Sequence, residues 1–266
     1  MNWRTPARVV LIPVVSILLV FLVWDLIIRI FNVEPFVAPS PGEALGALRD
    51  NWSTLWPLAI ETIRETTYGF VLGAVLGFVL AVAMAQTRIV QGLVYPVLIS
   101  SQAVPIIAIA APLVILLGFG IWPKIVIVAW IVFFPVAVSV LDGLANVDED
   151  LLKLAHVMGG TRSRVFLKIR LPATVSPLYS GLKIGATYAV TGAIIGELVA
   201  STGDSLAGFQ RNANSSLDTP AVWGTTILMT AIGIGWFLLV MTFERLTTPW
   251  RTRNTVRRLP FSRRTD

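Results

Sequence analysis

The sequence predicts an all-α integral membrane protein, and three observations support this fold class. Hydrophobic residues make up 55% of the 266 residues and charged residues only 14%, whereas soluble proteins carry about 25% charged residues. The mean hydropathy of +0.77 is strongly positive. Apolar stretches long enough to cross a bilayer recur along the chain, and at about 20 residues per span plus loops about six spans fit.

The first part of the chain, residues 1–57, predicts one span and one helix outside the membrane. The apolar run 9–31 is the first span; no small-residue cleavage site follows it, so we expect an uncleaved helix, with a removed signal peptide as the alternative. Ser40-Pro41-Gly42-Glu43 is a capping box with proline at the first helical position. We expect a short helix to start there and to lie along the outer surface as far as Trp56.

The core, residues 58–246, begins with a span that carries a packing face. Gly69, Gly73 and Gly77 repeat every four residues in the second span, 58–85. Such small-residue faces let another helix approach closely in lipid. We therefore interpret these glycines as packing positions and not as a gate.

The third span, 93–117, is expected to be broken, because Pro96, Pro105 and Pro112 interrupt it. Discontinuous backbone is tolerated in membranes where it faces protein or a watery cavity. The polar residues just before the second proline are therefore candidates for lining a transport pathway: Ser100, Ser101 and Gln102. The fourth span is expected at 124–141.

The fifth span, 177–199, combines a second glycine face with polar residues. Its glycines are spaced by four, seven and four residues at positions 181, 185, 192 and 196. Lys183 and Glu197 are ionisable groups in or near the bilayer, which are functional candidates by default; Lys183 can instead extend its amine to the interface. Candidate pathway residues here are Thr187, Tyr188, Thr191 and Glu197. An outer loop, 201–220, and a sixth span, 222–243, follow.

A polar segment, residues 146–172, separates the fourth and fifth spans. Asp148 can cap a helix whose apolar face is Leu151, Leu154, Ala155 and Met158. Gly159 and Gly160 can end that helix, and Thr161 can cap a second one. The pattern predicts a helix–glycine turn–helix in water, which suits a docking surface; an ordinary juxtamembrane loop is the alternative.

The positive charges predict the orientation. Arg4, Arg8, Arg88, five basic residues of segment 146–172 and seven arginines from Arg245 onward fall on one side if the spans alternate. Basic residues concentrate in cytoplasmic segments. We therefore expect both termini, the basic tail 247–266 and the polar segment to be cytoplasmic.

Several chemistries are excluded by the sequence. It contains no phosphate-binding G-x-x-x-x-G-K-[ST] loop, no cysteine, and only one histidine, His156. We therefore expect no catalytic residues, no metal site and no cofactor bound by this chain, and the charge of +6 is not interpreted as a nucleic-acid signal. We also expect no cluster of carboxylates within the membrane. A self-contained secondary transporter or channel, the alternative function, would need such groups or matching broken helices.

Segment 146–172 resembles the cytoplasmic loop of ATP-binding-cassette (ABC) importer permeases, whose pattern is Glu-Ala-Ala, three residues, Gly, nine residues and Ile-x-Leu-Pro. Lys153 and Leu154 replace the Glu and the first Ala, so no salt bridge through that Glu is expected. The resemblance implies that this loop couples to an ATPase through Leu154, Ala155, Met158, Gly159, Ile169, Leu171 and Pro172.

The resemblance extends over most of the chain to permeases of the nitrate/sulfonate/taurine importer family, carried by residues 101–106, 111–113, 118–120 and 133–135. Residues 154–159 and 181–184 are similar to the branch that imports thiamine-precursor pyrimidines and riboflavin, whereas residues 203–208 depart from the family's Gly-Leu-Gly run. The resemblance implies a type I ABC-importer permease in the inner (plasma) membrane, paired with an identical copy. Separate ATPase subunits would bind ATP and magnesium. An extracytoplasmic binding protein would deliver a pyrimidine thiamine precursor, riboflavin, or a nitrate-, sulfonate- or taurine-like anion.

Overall fold

The computed structural model describes residues 6–201 and 204–249, and within these ranges the chain is helical and contains no β-strand. One stretch of five residues, Phe166–Arg170, forms a π-helical turn. The helices are α1 Pro6–Ile30, α2 Pro41–Asp50, α3 Trp52–Gln86, α4 Arg88–Ser101, α5 Ile106–Leu117, α6 Ile121–Ala145, α7 Glu149–Val157, α8 Arg162–Val165, α9 Leu171–Ala173, α10 Val175–Ala200, α11 Leu206–Ser215 and α12 Thr219–Thr247. The predicted all-α class is confirmed.

Helix α6 is the centre of the bundle and packs most extensively against α3 on one side and α10 on the other. A Cβ atom added to Gly73 would lie 2.6 Å from the backbone oxygen of Ala129, and one on Gly181 would lie 2.7 Å from that of Pro135. Both glycine faces therefore bring a neighbouring backbone against α6, as the four-residue spacing predicts. Valines at every fourth position of α6 fill the contact and are fully buried: Val128, Val132, Val136 and Val140.

Helices α3 and α6 run in the same direction. Gly69 faces Val128, and eight residues later Gly77 faces Ala137. The chain between them, residues 87–120, must therefore return from the end of α3 to the level of its start. Helices α4 and α5 make this crossing with a bend of 101°.

The third span is thus broken as predicted, but at a single point. The break lies between Ser101 and Ile106, whereas Pro96 and Pro112 lie inside α4 and α5. With this pair counted as one crossing, the described residues contain five candidate spans, the others being α3, α6, α10 and α12. The expected total of six includes α1, whose residues 6–14 have no described side chains, and it stays a prediction.

The outer surface helix is shorter than predicted. It ends at Asp50, and the chain starts a new helix at Trp52 that continues into the membrane, so Trp52 and Trp56 belong to α3. The boundary drawn between residues 57 and 58 consequently falls inside a helix. The capping box itself is confirmed: the Ser40 amide donates to Glu43 Oε2 at 2.7 Å, and Ser40 Oγ accepts from the Glu43 amide at 3.3 Å.

The predicted outer loop contains helix α11, which was not predicted from the sequence. Ser205 Oγ accepts from the Gly208 amide at 3.0 Å and caps it. Leu206 and Ala207 are buried against Leu55 of α3 and Leu228 of α12. The cap was the available signal, because serine followed by an apolar pair is typical of a helix start. Gly203 lies outside the described residues.

The bundle has two distinct ends. At the loop end, α3 and α6 finish and segment 146–173 follows; at the opposite end lie α2, α11 and the start of α12. The charges that predict which end is cytoplasmic lie partly outside the described residues, namely Arg4, the side chains of Arg8 and Arg88, and the tail from residue 250. The orientation therefore stays a prediction.

Candidate coupling loop and candidate transport pathway

Helix α7 begins directly after Asp148, as predicted, because the Asp148 side chain caps its first turn. Asp148 Oδ1 accepts from the Asp150 amide at 2.8 Å. Glu149 and Asp150 lie in the first turn, where negative charge is favourable, and Lys153 pairs with Asp150 at 3.2 Å. The helix thus projects from the bundle as an independently capped unit.

Two glycines end α7 in a Schellman motif. Gly159 has φ +82°, its amide donates to the His156 carbonyl at 2.9 Å, and the Gly160 amide donates to the Ala155 carbonyl at 2.9 Å. A Cβ on Gly159 would meet nothing within 4 Å. The glycine is therefore required by its left-handed backbone and not by a steric clash.

The apolar residues of α7 are turned to solvent. Leu154 is 56% exposed, Val157 85% and Met158 79%, while Ala155 is half-buried. Isolated exposed apolar residues are ordinary, but adjacent ones on a polar surface segment are typical of an interaction site. The remaining predicted coupling residues lie in the part of the segment that leads back to the bundle. Pro172 is exposed there, and two residues are half-buried: Ile169 and Leu171.

Arg170, which in the sequence is only one of several positive charges, attaches the segment to the bundle. Arg170 Nη2 donates to the carbonyl oxygen of Leu144, in the last turn of α6, at 3.0 Å. A cation at this position also satisfies the negative end of the helix. A cavity of about 620 Å³ separates α7 from the end of α3, and its lining includes Gln86, His156 and Arg170.

The candidate pathway residues divide between two cavities. Ser101, Gln102 and Tyr188 line the first, of about 560 Å³, together with Trp130 and Phe134. Thr187 and Thr191 line the second, of about 600 Å³, between α10 and α12. Ser100 is exposed and belongs to neither lining.

Glu197 lines neither of these two cavities. It is 2% exposed. Its Oε1 accepts from the Thr62 hydroxyl at 2.5 Å, and its Oε2 accepts from the Ala207 amide at 2.9 Å. Both carboxylate oxygens of Glu197 therefore accept hydrogen bonds from other helices of the protein.

A buried ion pair lies beside it. Lys124 Nζ contacts Glu65 Oε1 at 2.6 Å, with both side chains buried, and Glu197 lies close enough to interact with Lys124 and Glu65 electrostatically. Lys124 and Glu65 are 59 residues apart in the sequence, and Glu197 and Thr62 are 135 residues apart. These contacts therefore form only when the helices pack together.

Comparison with known proteins identifies the family. The family described as "Binding-protein-dependent transport system inner membrane component" matches residues 73–253, more than half of the chain. The chain belongs to this family.

Individual permeases are similar over nearly their whole length. The formylaminopyrimidine transport permease protein ThiX of Halalkalibacterium halodurans is 29% identical over 91% of this chain and 96% of its own. The riboflavin transport system permease protein RibX of Chloroflexus aurantiacus is 26% identical over 89% and 88%. The taurine transport system permease protein TauC of Escherichia coli is 24% identical over 94% of both chains.

The permease is therefore a multi-pass inner-membrane component of an ABC importer and not an enzyme. The resemblance found in the sequence is confirmed at this level. Buried ionisable groups are present in this structure, so the absence of such groups cannot distinguish the chain from a secondary transporter. The family match makes that distinction.

Lys183 of the permease also has a defined partner. Its Nζ contacts Glu244 Oε2 of α12 at 2.8 Å, and one turn earlier the Tyr179 hydroxyl is 2.5 Å from Thr247 Oγ1. These contacts join α10 to α12 near the loop end. Lys183 therefore pairs within the bundle and does not extend alone to the interface.

Proposed function

We propose that this chain is the translocating subunit of an ATP-driven importer and that α7 receives the force from a separate ATPase, which binds ATP and magnesium. The observation that carries the proposal is the exposed apolar face of Leu154 and Met158. A capped helix presents this face, and the π-helical turn that follows is tied to α6 through Arg170. An amphipathic helix that lies in a partner's groove is a common recognition mode. Ala155 and Gly159 would shape the contact, and Ile169, Leu171 and Pro172 would support it.

The proposed mechanism is alternating access. ATP binding brings two ATPase subunits together, each carrying the coupling loop of one of two identical permease copies. Because Arg170 joins the loop to α6, and α6 packs between α3 and α10, displacement of the loop rocks the central helices. An extracytoplasmic binding protein delivers solute at the opposite end, and hydrolysis resets the cycle. Both termini lie in the cytoplasm.

Two variants test the coupling loop. Ala155→Asp places a carboxylate in the contact, where burying an unpaired charge costs several kcal/mol. Gly159→Val forces a β-branched residue into a left-handed backbone at φ +82°. Both should abolish co-purification of the ATPase and solute-stimulated hydrolysis in reconstituted membranes, while insertion of the permease stays normal.

Matched controls separate coupling from general damage. Ala155→Ser introduces a small uncharged group, and Gly159→Asn introduces a residue that tolerates the left-handed region. Both should retain ATPase binding. Normal ATPase binding and normal stimulation in Ala155→Asp and Gly159→Val would refute the docking role.

The cavity beside α4 and α10 supports a solute class. The described residues that line it are uncharged. Apart from the indole N–H of Trp130, their polar side-chain groups are hydroxyls and one amide: Ser101, Gln102, Ser139 and Tyr188. Trp130 and Phe134 add aromatic faces. An anion in such surroundings would lack a positive partner, which is costly. We therefore propose an uncharged heteroaromatic solute, such as a pyrimidine thiamine precursor or riboflavin, in preference to nitrate, a sulfonate or taurine.

Uptake by the complex with its own binding protein tests the solute class. Pyrimidine precursors, riboflavin, taurine, a sulfonate and nitrate are compared in vesicles loaded with ATP. We expect uptake of a heteroaromatic compound and a reduced rate in Gln102→Ala, which removes the amide from the cavity. Uptake of one of the anions alone would refute the assignment.

A further inference from the structure

A buried polar network lies at the end of the bundle opposite to the coupling loop, and the transport scheme does not use it. Its centre is Glu197, near the end of α10. The first residues of α10 directly follow the coupling loop. One continuous 26-residue helix therefore has the coupling loop at its start and Glu197 near its end.

Glu197 holds two other elements at once. The Thr62 hydroxyl of α3 donates to one carboxylate oxygen, and the Ala207 amide in the first turn of α11 donates to the other. Thr62 is fully buried and Glu197 nearly so. Because separation would leave buried polar groups without hydrogen-bond partners, which is costly, this contact resists separation.

Helix α11 has one buried and one exposed side. Leu206 and Ala207 are fully buried against the core, whereas Arg211, Asn212 and Asn214 are exposed. The exposed side is polar and positively charged, and it lies at the opposite end from the coupling loop. The helix is thus a surface element whose attachment to the core includes the side chain of Glu197.

We propose that Glu197 is a positioning residue that clamps α11 to α3 and α10, so that α11 and the coupling loop move together. The exposed side of α11 then acts as the contact through which the binding protein influences the ATPase. This inference rests on the proposed function. The clamp works through the hydrogen bonds of Glu197 and not through the charge of its carboxylate. An uncharged residue that keeps both hydrogen bonds should therefore keep the clamp.

Two substitutions of Glu197 distinguish a role of its hydrogen bonds from a role of its charge. Glu197→Ala removes both acceptors. Glu197→Gln can keep both contacts, because its amide oxygen accepts from Ala207 and its amino group donates to the Thr62 hydroxyl, which still donates to the Leu58 carbonyl. The full complex is reconstituted with binding protein, and ATP hydrolysis is measured with and without it.

We expect Glu197→Ala to lower stimulation by the binding protein about fivefold or more, the lower range of ordinary coupling between sites. Hydrolysis without binding protein and co-purification of the ATPase should stay normal. Glu197→Gln should restore stimulation. Because the chain contains no cysteine, a spin label at Asn212→Cys reports α11 directly, and its ATP-dependent change should disappear in Glu197→Ala only.

Each result with these variants either supports or overturns the proposed clamp. Normal stimulation in Glu197→Ala overturns the clamp, and so does loss of stimulation in Glu197→Gln, which would show that the charge itself is needed. If Glu197→Ala fails to assemble, Thr62→Val decides, because it removes only the α3 side of the clamp, and normal stimulation there overturns the proposal. Failure of the unaltered complex to bind ATPase or to be stimulated would instead refute the proposed function.

Discussion

The close contact between α3 and α6 makes a quantitative prediction for Gly73. In Gly73→Ala the new Cβ would lie 2.6 Å from the Ala129 carbonyl oxygen and 2.9 Å from Val132 Cβ. The first is backbone and the second is the branch point of a side chain, so neither can rotate away and the helices must separate. Overpacking of this kind costs about 1–3 kcal/mol.

Gly235 of α12 is the matched control, because a Cβ there meets nothing within 4 Å. In a helix interior alanine is favoured over glycine by up to about 1 kcal/mol. Because both glycines lie in helix interiors, this gain cancels in the comparison. We therefore expect Gly73→Ala to be less stable than Gly235→Ala by about 1–3 kcal/mol. Gly185, whose added Cβ would lie 3.1 Å from Val132 Cγ1, should fall between them.

The assay is thermal unfolding of the purified permease in detergent, followed by size-exclusion chromatography of the assembled complex. Gly73→Leu and Gly185→Leu extend the series and should lower the yield of assembled complex. Equal melting temperatures for Gly73→Ala and Gly235→Ala, or a fully assembled and active complex with both leucine variants, would refute the packing interpretation.

Three further predictions follow from the charges. Lys124→Met leaves Glu65 and Glu197 buried without their cation and should destabilise the permease by about 3–5 kcal/mol, far more than Glu65→Gln; equal melting temperatures would contradict this. Arg170→Met releases the loop from α6 and should weaken ATPase co-purification while insertion stays normal, and unchanged co-purification would show that the Leu144 contact does not matter. A reporter or single cysteine near Arg257 should be accessible only from the cytoplasm, and labelling from outside would overturn the predicted orientation.

Features that depend on neighbouring residues were readable from the sequence. The capping box at Ser40, the cap at Asp148 and the turn at Gly159 each involve groups within about four residues, so residue type alone determines them. The same holds for the apolar spans, because a bilayer requires continuous apolar length. The glycine repeats likewise predicted close helix packing, because small residues let two helix backbones approach each other closely in lipid.

Features that depend on distant residues were decided by the tertiary structure. The glycine faces did not reveal that both pack on α6, because a missing side chain carries no information about its partner. The sequence marked position 124 only as the start of the fourth span and Glu197 as a candidate pathway residue, because single positions do not show which charges lie together in the fold. Burial makes an unpaired charge costly, so packing of α3, α6, α10 and α11 imposed the pairing of Lys124 with Glu65 and of Glu197 with Thr62 and Ala207.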